Sequence, residues 1–161
     1  MSDKQPVVVQ VPADQPVVVE VEAHDQPITN RYIVHYPPHP ARTDDPHYVD
    51  FNHIHREWKK DPEKWQCAIG LHRGDFSECD LDKPLELHHA HVEFSLQNGV
   101  DLKWLSHDYP GIDTPEEVGS WVESAENLLV LCVRHHRGSG GIHHASASDY
   151  EAQRYVRGLI G

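Results

Sequence analysis

The segments that decide the fold are LELH at residues 85–88 and LLVLCV at residues 128–133. The first alternates apolar and polar residues and the second is a continuous apolar run of strand length, so both are predicted to be β-strands. Each segment delivers a histidine pair at its end, His88-His89 for the first and His135-His136 for the second. Because neighbouring side chains on a strand point to opposite faces, one histidine of each pair can bind a metal while the other has a different role.

Composition narrows the range of functions. The chain has 161 residues, a formal net charge of −12 and 15 histidines. This length suits one domain plus a tail, and the histidine content points to metal or proton chemistry. The acidity argues against passive binding along nucleic acid, because phosphate contacts need clustered lysine and arginine. Any activity on DNA is therefore expected to be local to one site.

Cysteine usage and hydropathy indicate the compartment. The chain contains 3 cysteines, an odd number that argues against a closed disulfide framework and favours a reducing compartment. No apolar run approaches the roughly 20 residues that a membrane helix needs, and the first residues lack the charged and apolar regions of a signal peptide. The prediction is a cytoplasmic protein without a membrane partner.

A change of composition near residue 45 divides the chain. Residues 1–44 are predicted to be a flexible, acidic arm rich in proline and valine, in which QPVVV at 5–9 returns at 15–19. The valine triplets could alternatively pair as short strands. Residues 45–161 are predicted to form the folded domain.

Helix signals flank the two strands of this domain. Asp45-Pro46 provides a cap and a first position for a helix that runs to about Lys60. TPEE at 114–117 is a capping box with proline at the first helical position. SDYE at 148–151 is a second capping box and predicts a closing helix. Short strands and separate helices together predict an α+β fold.

Several histidines and one asparagine follow one another along the chain, from the end of the first predicted strand onward. The quoted pieces are Leu87-His88-His89, Asn127-Leu128, Cys132-x-x-His135-His136 and Gly140-Gly141-Ile142-His143. In this order they resemble the HNH endonuclease family, and most of all the small stand-alone HNH proteins encoded by bacteriophages. The resemblance covers about residues 65–160 and leaves the predicted arm unexplained.

The resemblance implies a ββα-metal core, which is a β-hairpin followed by a helix that grips one divalent ion, with further helices beside it. The implied metal ligands are His88, His136 and His143. His89 would be the general base, and Asn127 would hold the hairpin loop and orient the His89 ring. The glycine-rich insert at 138–141 lengthens the gap between the last two ligands, so His144 stays an alternative to His143.

This set of residues fits phosphodiester hydrolysis on chemical grounds. A neutral histidine can take a proton from water near pH 7, and a divalent cation can stabilise the phosphate and the departing oxygen. Nitrogen ligands favour Zn, Ni, Co or Mn, although Mg could bind with water and substrate oxygens. Arg134 and Arg137 flank His136 and are expected to bind phosphate.

The sequence therefore predicts a metal-dependent DNA endonuclease whose catalytic cation is Mg, Mn, Ni or Zn. Phage HNH proteins of this kind often accompany genome packaging, so the resemblance also implies a phage terminase or another packaging protein as partner, in the host cytoplasm. Two alternatives stay open. One is a non-catalytic, zinc-stabilised module that binds nucleic acid or protein, and the other is a histidine-rich accessory protein whose metal is structural.

A second metal site is predicted from the cysteines. The residues of the right type and number for a structural zinc are Cys67, Cys79, Cys132 and His135. Cys132 and His135 have the spacing of a zinc knuckle, whereas the spacing of Cys67 and Cys79 is irregular and the usual Cys-x-x-Cys pair of the family is missing. The alternative is that the three thiols are small buried apolar groups.

Overall fold

The computed structural model describes residues 25, 27, 29, 33, 35–147 and 150. In this part of the chain the helices and strands are, in order, α1 Tyr48–Lys60, α2 Ala68–Arg73, β1 Glu86–His89, α3 Leu102–Asp108, α4 Pro115–Val122, β2 Leu128–Leu131 and α5 Val133–Arg137. Short 3-10 helices lie at Arg42–Asp44, Phe94–Gly99 and Ala125–Asn127. Helices together with a two-stranded antiparallel sheet confirm the α+β class that the sequence predicts.

The two predicted strands pair with each other. β1 runs antiparallel to β2, with Glu86 opposite Leu131 and His89 opposite Leu128. The alternation in β1 and the apolar run in β2 therefore mark the two halves of one hairpin-like sheet. The pairing brings the first histidine pair beside the start of β2.

The second strand is shorter than predicted, because it ends at Leu131 rather than at residue 133. Continuing the register would place Val133 opposite Pro84, which has no N–H group to extend the ladder. The chain instead turns at Cys132 into helix α5, where the His136 N–H donates to the Cys132 carbonyl at 2.9 Å. The pair His135-His136 consequently lies on a helix and not at a strand end.

The helix signals of the sequence are largely confirmed. α1 ends at Lys60 as predicted but begins at Tyr48, because the Asp45 carboxylate accepts the N–H of His47 and forms a turn before the helix. At α4 both halves of the capping box are present. Glu117 N–H donates to Thr114 Oγ1 at 3.3 Å, and Thr114 N–H donates to Glu117 Oε2 at 2.9 Å.

Two groups of buried side chains form the core of the described residues. One group contains Cys67, Ile69, Leu131, Cys132 and Tyr150. The other contains Phe94, Ile112, Val118, Trp121 and Val122, and it fixes α4 against the turn at 94–99. The first group surrounds the end of β2 and the start of α5, so it supports the segment that carries the second histidine pair.

Most residues of the predicted arm and of the predicted closing helix lie outside the part of the chain that the structure describes, so these two predictions are not tested. The repeats at 5–9 and 15–19 lie outside the described residues, as does the closing helix predicted from residue 148 except for Tyr150. The division at residue 45 stays a prediction, and Arg42 from the segment before it contacts the domain. Among the described residues, no helix combines the length and the apolar character needed to cross a membrane.

Candidate metal centres

Two groups of possible ligands lie on either side of α5. We call the first the thiol cluster, made of Cys67, Cys79, Cys132 and His135. We call the second the imidazole cluster, made of His88, His136 and His143. In each cluster the donor atoms lie within 4.8 Å of one another. Successive residues of a helix are rotated by about 100°, which is why the neighbours His135 and His136 enter different clusters.

The thiol cluster has the dimensions of a tetrahedral site. His135 Nδ1 lies 3.1 Å from Cys132 Sγ, 3.4 Å from Cys67 Sγ and 3.8 Å from Cys79 Sγ. Ideal zinc bond lengths and tetrahedral angles place nitrogen and sulfur ligands about 3.5 Å apart. All three cysteines are free thiols, and only Cys79 has any appreciable exposure. The four residues could therefore hold a cation that is closed off from solvent.

Local structure explains how Cys79 reaches this cluster. Cys67 is the residue before α2, and Cys79 lies in the loop that follows this helix. Gly70 of α2 faces the loop, and a Cβ atom there would meet the Phe76 ring at 2.4 Å and Cys79 Sγ at 3.1 Å. A glycine at this position lets the loop approach the helix, so the irregular spacing of the two cysteines is compatible with one site.

Without a cation, the thiol cluster holds protons. Burial, followed by the neighbouring Cys132, raises the pKa of Cys79 to about 11. The hydrogen bond with Cys67 and burial raise the pKa of Cys132 to about 11, and the same hydrogen bond lowers the pKa of Cys67. A cation that binds here at neutral pH must displace the protons of Cys79 and Cys132.

The imidazole cluster is equally compact. Its ring centroids lie 4.8 to 4.9 Å apart, and His136 Nε2 is 3.1 Å from His143 Nε2. Nitrogen ligands of a tetrahedral zinc ion lie about 3.4 Å apart. His88 is buried, His136 is half-buried and His143 is exposed. The cluster could therefore hold a cation with one side left open.

Glu86 orients one of these rings. Its Oε2 lies 2.6 Å from His136 Nδ1, and its Oε1 accepts from Arg137 Nη2 at 2.8 Å. An ionised carboxylate only accepts hydrogen bonds, so Nδ1 carries a hydrogen, and Nε2 is the ring atom that lies toward His143 and could bind a cation. Although burial opposes it, the hydrogen bonds from His136 and Arg137 lower the pKa of Glu86. Glu86 lies two residues before His88 on β1, and its carboxylate is the acceptor that fixes the orientation of the His136 ring.

The imidazole cluster differs from the thiol cluster in its protonation. Burial is the main cause that lowers the pKa of His88 to about 4, with help from His136 and His143 against the opposing charge of Glu93. Burial and the nearby His136 also lower the pKa of His143. These two rings are neutral at neutral pH, so their nitrogen lone pairs are available to a cation without the loss of a proton.

Asn127 holds the loop that follows β1, as the family resemblance implies. Its side chain is fully buried, and its Oδ1 accepts the N–H groups of His91 and Val92 at 2.9 and 3.1 Å. Its Nδ2 donates to the carbonyls of Val92 and Val122, both at 2.8 Å. Asn127 thereby ties this loop to the end of α4, and its side-chain hydrogen bonds run to the backbone of His91, Val92 and Val122 rather than to the His89 ring.

Other side chains hold the His89 ring. Glu123 Oε2 lies 3.1 Å from His89 Nε2, and Glu93 Oε2 lies 3.4 Å from His89 Nδ1. Burial lowers the pKa of His89, but the two carboxylates outweigh burial and the net pKa is raised. Sequence analysis missed Glu93, Glu123 and Arg42. An acidic residue directly after the buried face of α4 was the one sequence signal that could have indicated Glu123.

The remaining predicted site residues are the two arginines of α5 and the third metal ligand, His143 or His144. The predicted phosphate ligand Arg137 pairs with Glu86 and keeps 62% of its side chain exposed, while Arg134 is half-buried on the same helix. His143 belongs to the imidazole cluster and its neighbour His144 does not. Of the two possible third ligands, the structure therefore brings His143 together with His88 and His136.

Comparison of the chain with protein families, with curated proteins and with solved structures finds no match. The interpretation of the two clusters consequently depends on their own geometry and on the resemblance of the sequence motifs.

Proposed function

We propose that the protein is a metal-dependent DNA endonuclease with a ββα-metal core of the HNH type, stabilised by a structural zinc in the thiol cluster. One observation carries this proposal. Three imidazoles converge on one open site, and a fourth histidine, His89, is connected to this site through Glu93, which contacts both His88 and His89. Three ligands with an accessible side are typical of catalytic metal sites, whereas four closed ligands are typical of structural ones.

In this proposal each residue has a defined chemical task. The residues that would hold the catalytic cation are His88, His136 and His143. When bound, a divalent cation supplies Lewis acidity for the phosphate and the leaving oxygen. His89 takes the proton of the attacking water, and Asn127 keeps the loop after β1 in place. Arg137 has an exposed side chain beside the site and can contact a phosphate.

Zinc is the proposed occupant of the thiol cluster. Three thiolates and one imidazole in tetrahedral spacing are a zinc donor set, and a domain of this size gains stability from such a cross-link. Mg, Mn, Ni or Zn is the proposed catalytic cation at the nitrogen ligands of the imidazole cluster. DNA is the proposed substrate. A terminase or other packaging partner in the host cytoplasm is proposed from the sequence resemblance alone.

A plasmid-nicking assay tests the proposal. Purified protein is incubated with supercoiled plasmid and Mn, Mg or Ni, beside His89→Ala, His136→Ala and the matched control His53→Ala, whose ring is exposed on α1. We expect metal-dependent nicking that His53→Ala retains. His89→Ala and His136→Ala should lower it by roughly 10²-fold or more. Equal nicking by all four proteins would contradict the assignment.

Calorimetric titration with the metal alone distinguishes a metal ligand, proposed for His136, from a general base, proposed for His89. His136→Ala should weaken binding at the imidazole cluster because it removes a ligand, whereas His89→Ala should leave binding intact. Two bound metal ions without any turnover in the wild type would instead favour the non-catalytic, zinc-stabilised binding module.

A further inference from the structure

A buried carboxylate lies behind the proposed base. Glu123 follows α4 and has no solvent exposure. Its Oε1 accepts from Arg42 Nε at 3.1 Å, and its Oε2 accepts from Arg42 Nη2 at 2.8 Å. The same Oε2 lies 3.1 Å from His89 Nε2. Among the described residues, the hydrogen bonds of this carboxylate thus join it to two residues that are distant in sequence, Arg42 and His89.

Arg42 is itself fixed by aromatic rings. Its guanidinium carbon lies 4.0 Å from the centre of the Phe51 ring and 5.1 Å from the centre of the Tyr48 ring. The Phe51 ring also stacks on His89, with centroids 5.6 Å apart. Cation–π contacts of this kind immobilise an arginine. The 3-10 helix at Arg42–Asp44 and helix α1 therefore cover Glu123 and His89 from one side.

These contacts determine which ring nitrogen of His89 carries the hydrogen. The Glu123 carboxylate is ionised beside Arg42 and can only accept, so a bare lone pair on Nε2 at 3.1 Å would repel it. Arg42 Nη2 also lies near Nε2, at 3.3 Å, and has a second N–H group besides the one that it donates to Glu123 at 2.8 Å, but the carboxylate is the nearer partner of Nε2, at 3.1 Å. The arrangement favours Nε2–H as donor to Glu123.

The opposite nitrogen of His89 faces the metal side. Nδ1 lies 3.4 Å from Glu93 Oε2, and the other oxygen of Glu93 lies 3.6 Å from Nδ1 of His88. Glu93 is the more accessible of the two carboxylates, with 38% of its side chain exposed against none for Glu123. In the neutral ring one nitrogen must face a carboxylate without a hydrogen. Because the contact with Glu93 is the longer one and Glu93 is partly exposed to solvent, that nitrogen is Nδ1, on the side of the imidazole cluster.

We propose that Glu123 and Arg42 are positioning residues that hold the His89 ring with Nε2 as hydrogen-bond donor and Nδ1 as the proton-accepting atom. The effect of these two residues on catalysis depends on the proposed nuclease function, whereas their effect on the orientation and hydrogen position of the His89 ring does not. Arg42 balances the buried charge of Glu123, so that the carboxylate stays ionised and the ring keeps one orientation. The segment before the domain thereby completes the site.

The hydrogen position can be measured directly. Long-range proton–nitrogen spectra of the zinc-loaded, full-length protein with isotope-labelled histidine distinguish the two tautomers, and the signal missing in His89→Ala assigns the ring. At a pH where the ring is neutral, we expect the hydrogen on Nε2. A hydrogen on Nδ1, with Nε2 accepting from Arg42, would overturn the proposal even if every variant failed to fold.

Activity variants give the second readout. Glu123→Gln and Arg42→Met should mix the tautomers of His89 and lower kcat by roughly 10²–10⁴-fold, the range for removing the carboxylate behind a histidine base, with KM for plasmid unchanged. The control Glu126→Gln changes an exposed acid three residues away and should alter neither. Unchanged tautomer and kcat in both variants would overturn the proposal. A wild type that cleaves nothing would remove the proposed function, while the spectra still decide the positioning.

Discussion

The thiol cluster and the imidazole cluster share helix α5 but differ in their access to solvent. His135 is 1% exposed and lies among three thiols, while the next residue, His136, joins a cluster whose outer member His143 is exposed. A closed set of four ligands leaves no position for a substrate, whereas an open set of three does. A step of a single residue along α5 therefore separates a site suited to stability from a site suited to chemistry.

The two clusters also differ in what holds them in place. The thiol cluster is packed against apolar residues that include Ile69 and Leu131. The imidazole cluster is surrounded by carboxylates, with Glu86 on His136 and Glu93 beside His88. Apolar packing excludes water, and carboxylates orient rings that remain partly hydrated. The difference predicts that damage to the first cluster affects folding and damage to the second affects function.

The largest expected effect comes from removing one thiol. With free zinc buffered 1,000-fold above the Kd of the thiol cluster, binding contributes about 4 kcal/mol to stability, so Cys132→Ser should lower the free energy of unfolding by about that amount. His136→Ala should lower it by less than about 1 kcal/mol. Urea unfolding of both variants measures the difference. An equal loss of unfolding free energy in the two variants would contradict the view that the thiol cluster stabilises the fold while the imidazole cluster serves the reaction.

The second effect is the pH dependence of metal affinity. The pKa values of Cys79 and Cys132 are raised to about 11, so a zinc ion that binds at neutral pH displaces at least these two protons. The affinity of the thiol cluster should therefore rise at least about 100-fold per pH unit and level off only above these pKa values.

The imidazole cluster provides the contrast for this measurement. The pKa of His88 and that of His143 are lowered by burial, so both rings are already neutral near pH 7 and release no proton. Mn titrations of the zinc-loaded wild type, from neutral pH to about one pH unit above it, should therefore show an affinity that rises much less steeply than that of the thiol cluster. A slope as steep as that of the thiol cluster would contradict the difference in protonation.

The third prediction concerns how closely the loop that carries Cys79 approaches helix α2 at Gly70. In Gly70→Ala the added Cβ would meet the Phe76 ring at 2.4 Å, and overpacking of this kind costs about 2 kcal/mol. Zinc affinity should fall as the loop moves away. Gly74→Ala at the end of the same helix has open space but a φ of 63°, so it should cost less and leave zinc affinity unchanged. The reverse order in thermal unfolding would refute this account.

The smallest effect is expected at the carboxylate behind His136. In Glu86→Gln the amide oxygen can still accept from Nδ1, so metal affinity of the imidazole cluster should fall about 10-fold, which is 1.4 kcal/mol. Calorimetry with Mn or Zn measures this fall, and Glu126→Gln is the control. Unchanged affinity would show that Glu86 does not tune the cluster.

Local patterns in the sequence predicted the strands, the capping box of α4 and the residues that converge. Alternation in β1 and the apolar run of β2 are properties of neighbouring residues, and so is the Thr114 cap. The grouping of His88, His136 and His143 followed from motif order rather than from distance, and the structure brings these three together.

The contacts that sequence reasoning missed connect residues far apart in the chain. Arg42 and Glu123 are separated by 81 positions, and no periodicity links them. The end of β2 was placed too late because it depends on Pro84 in the facing segment and not on the apolar character of Val133. Tertiary pairing overrides local propensity at these positions.

The adjacency of His135 and His136 restricts how this chain can change in length. One residue inserted between Cys132 and His136 would rotate the following side chains by about 100° and withdraw a ligand from one cluster or the other. The following segment is crowded as well, because a Cβ at Gly138 would meet the Arg134 carbonyl at 2.6 Å. Viable insertions and deletions in related chains should therefore avoid α5, and their absence there would be a recognisable signature in any alignment.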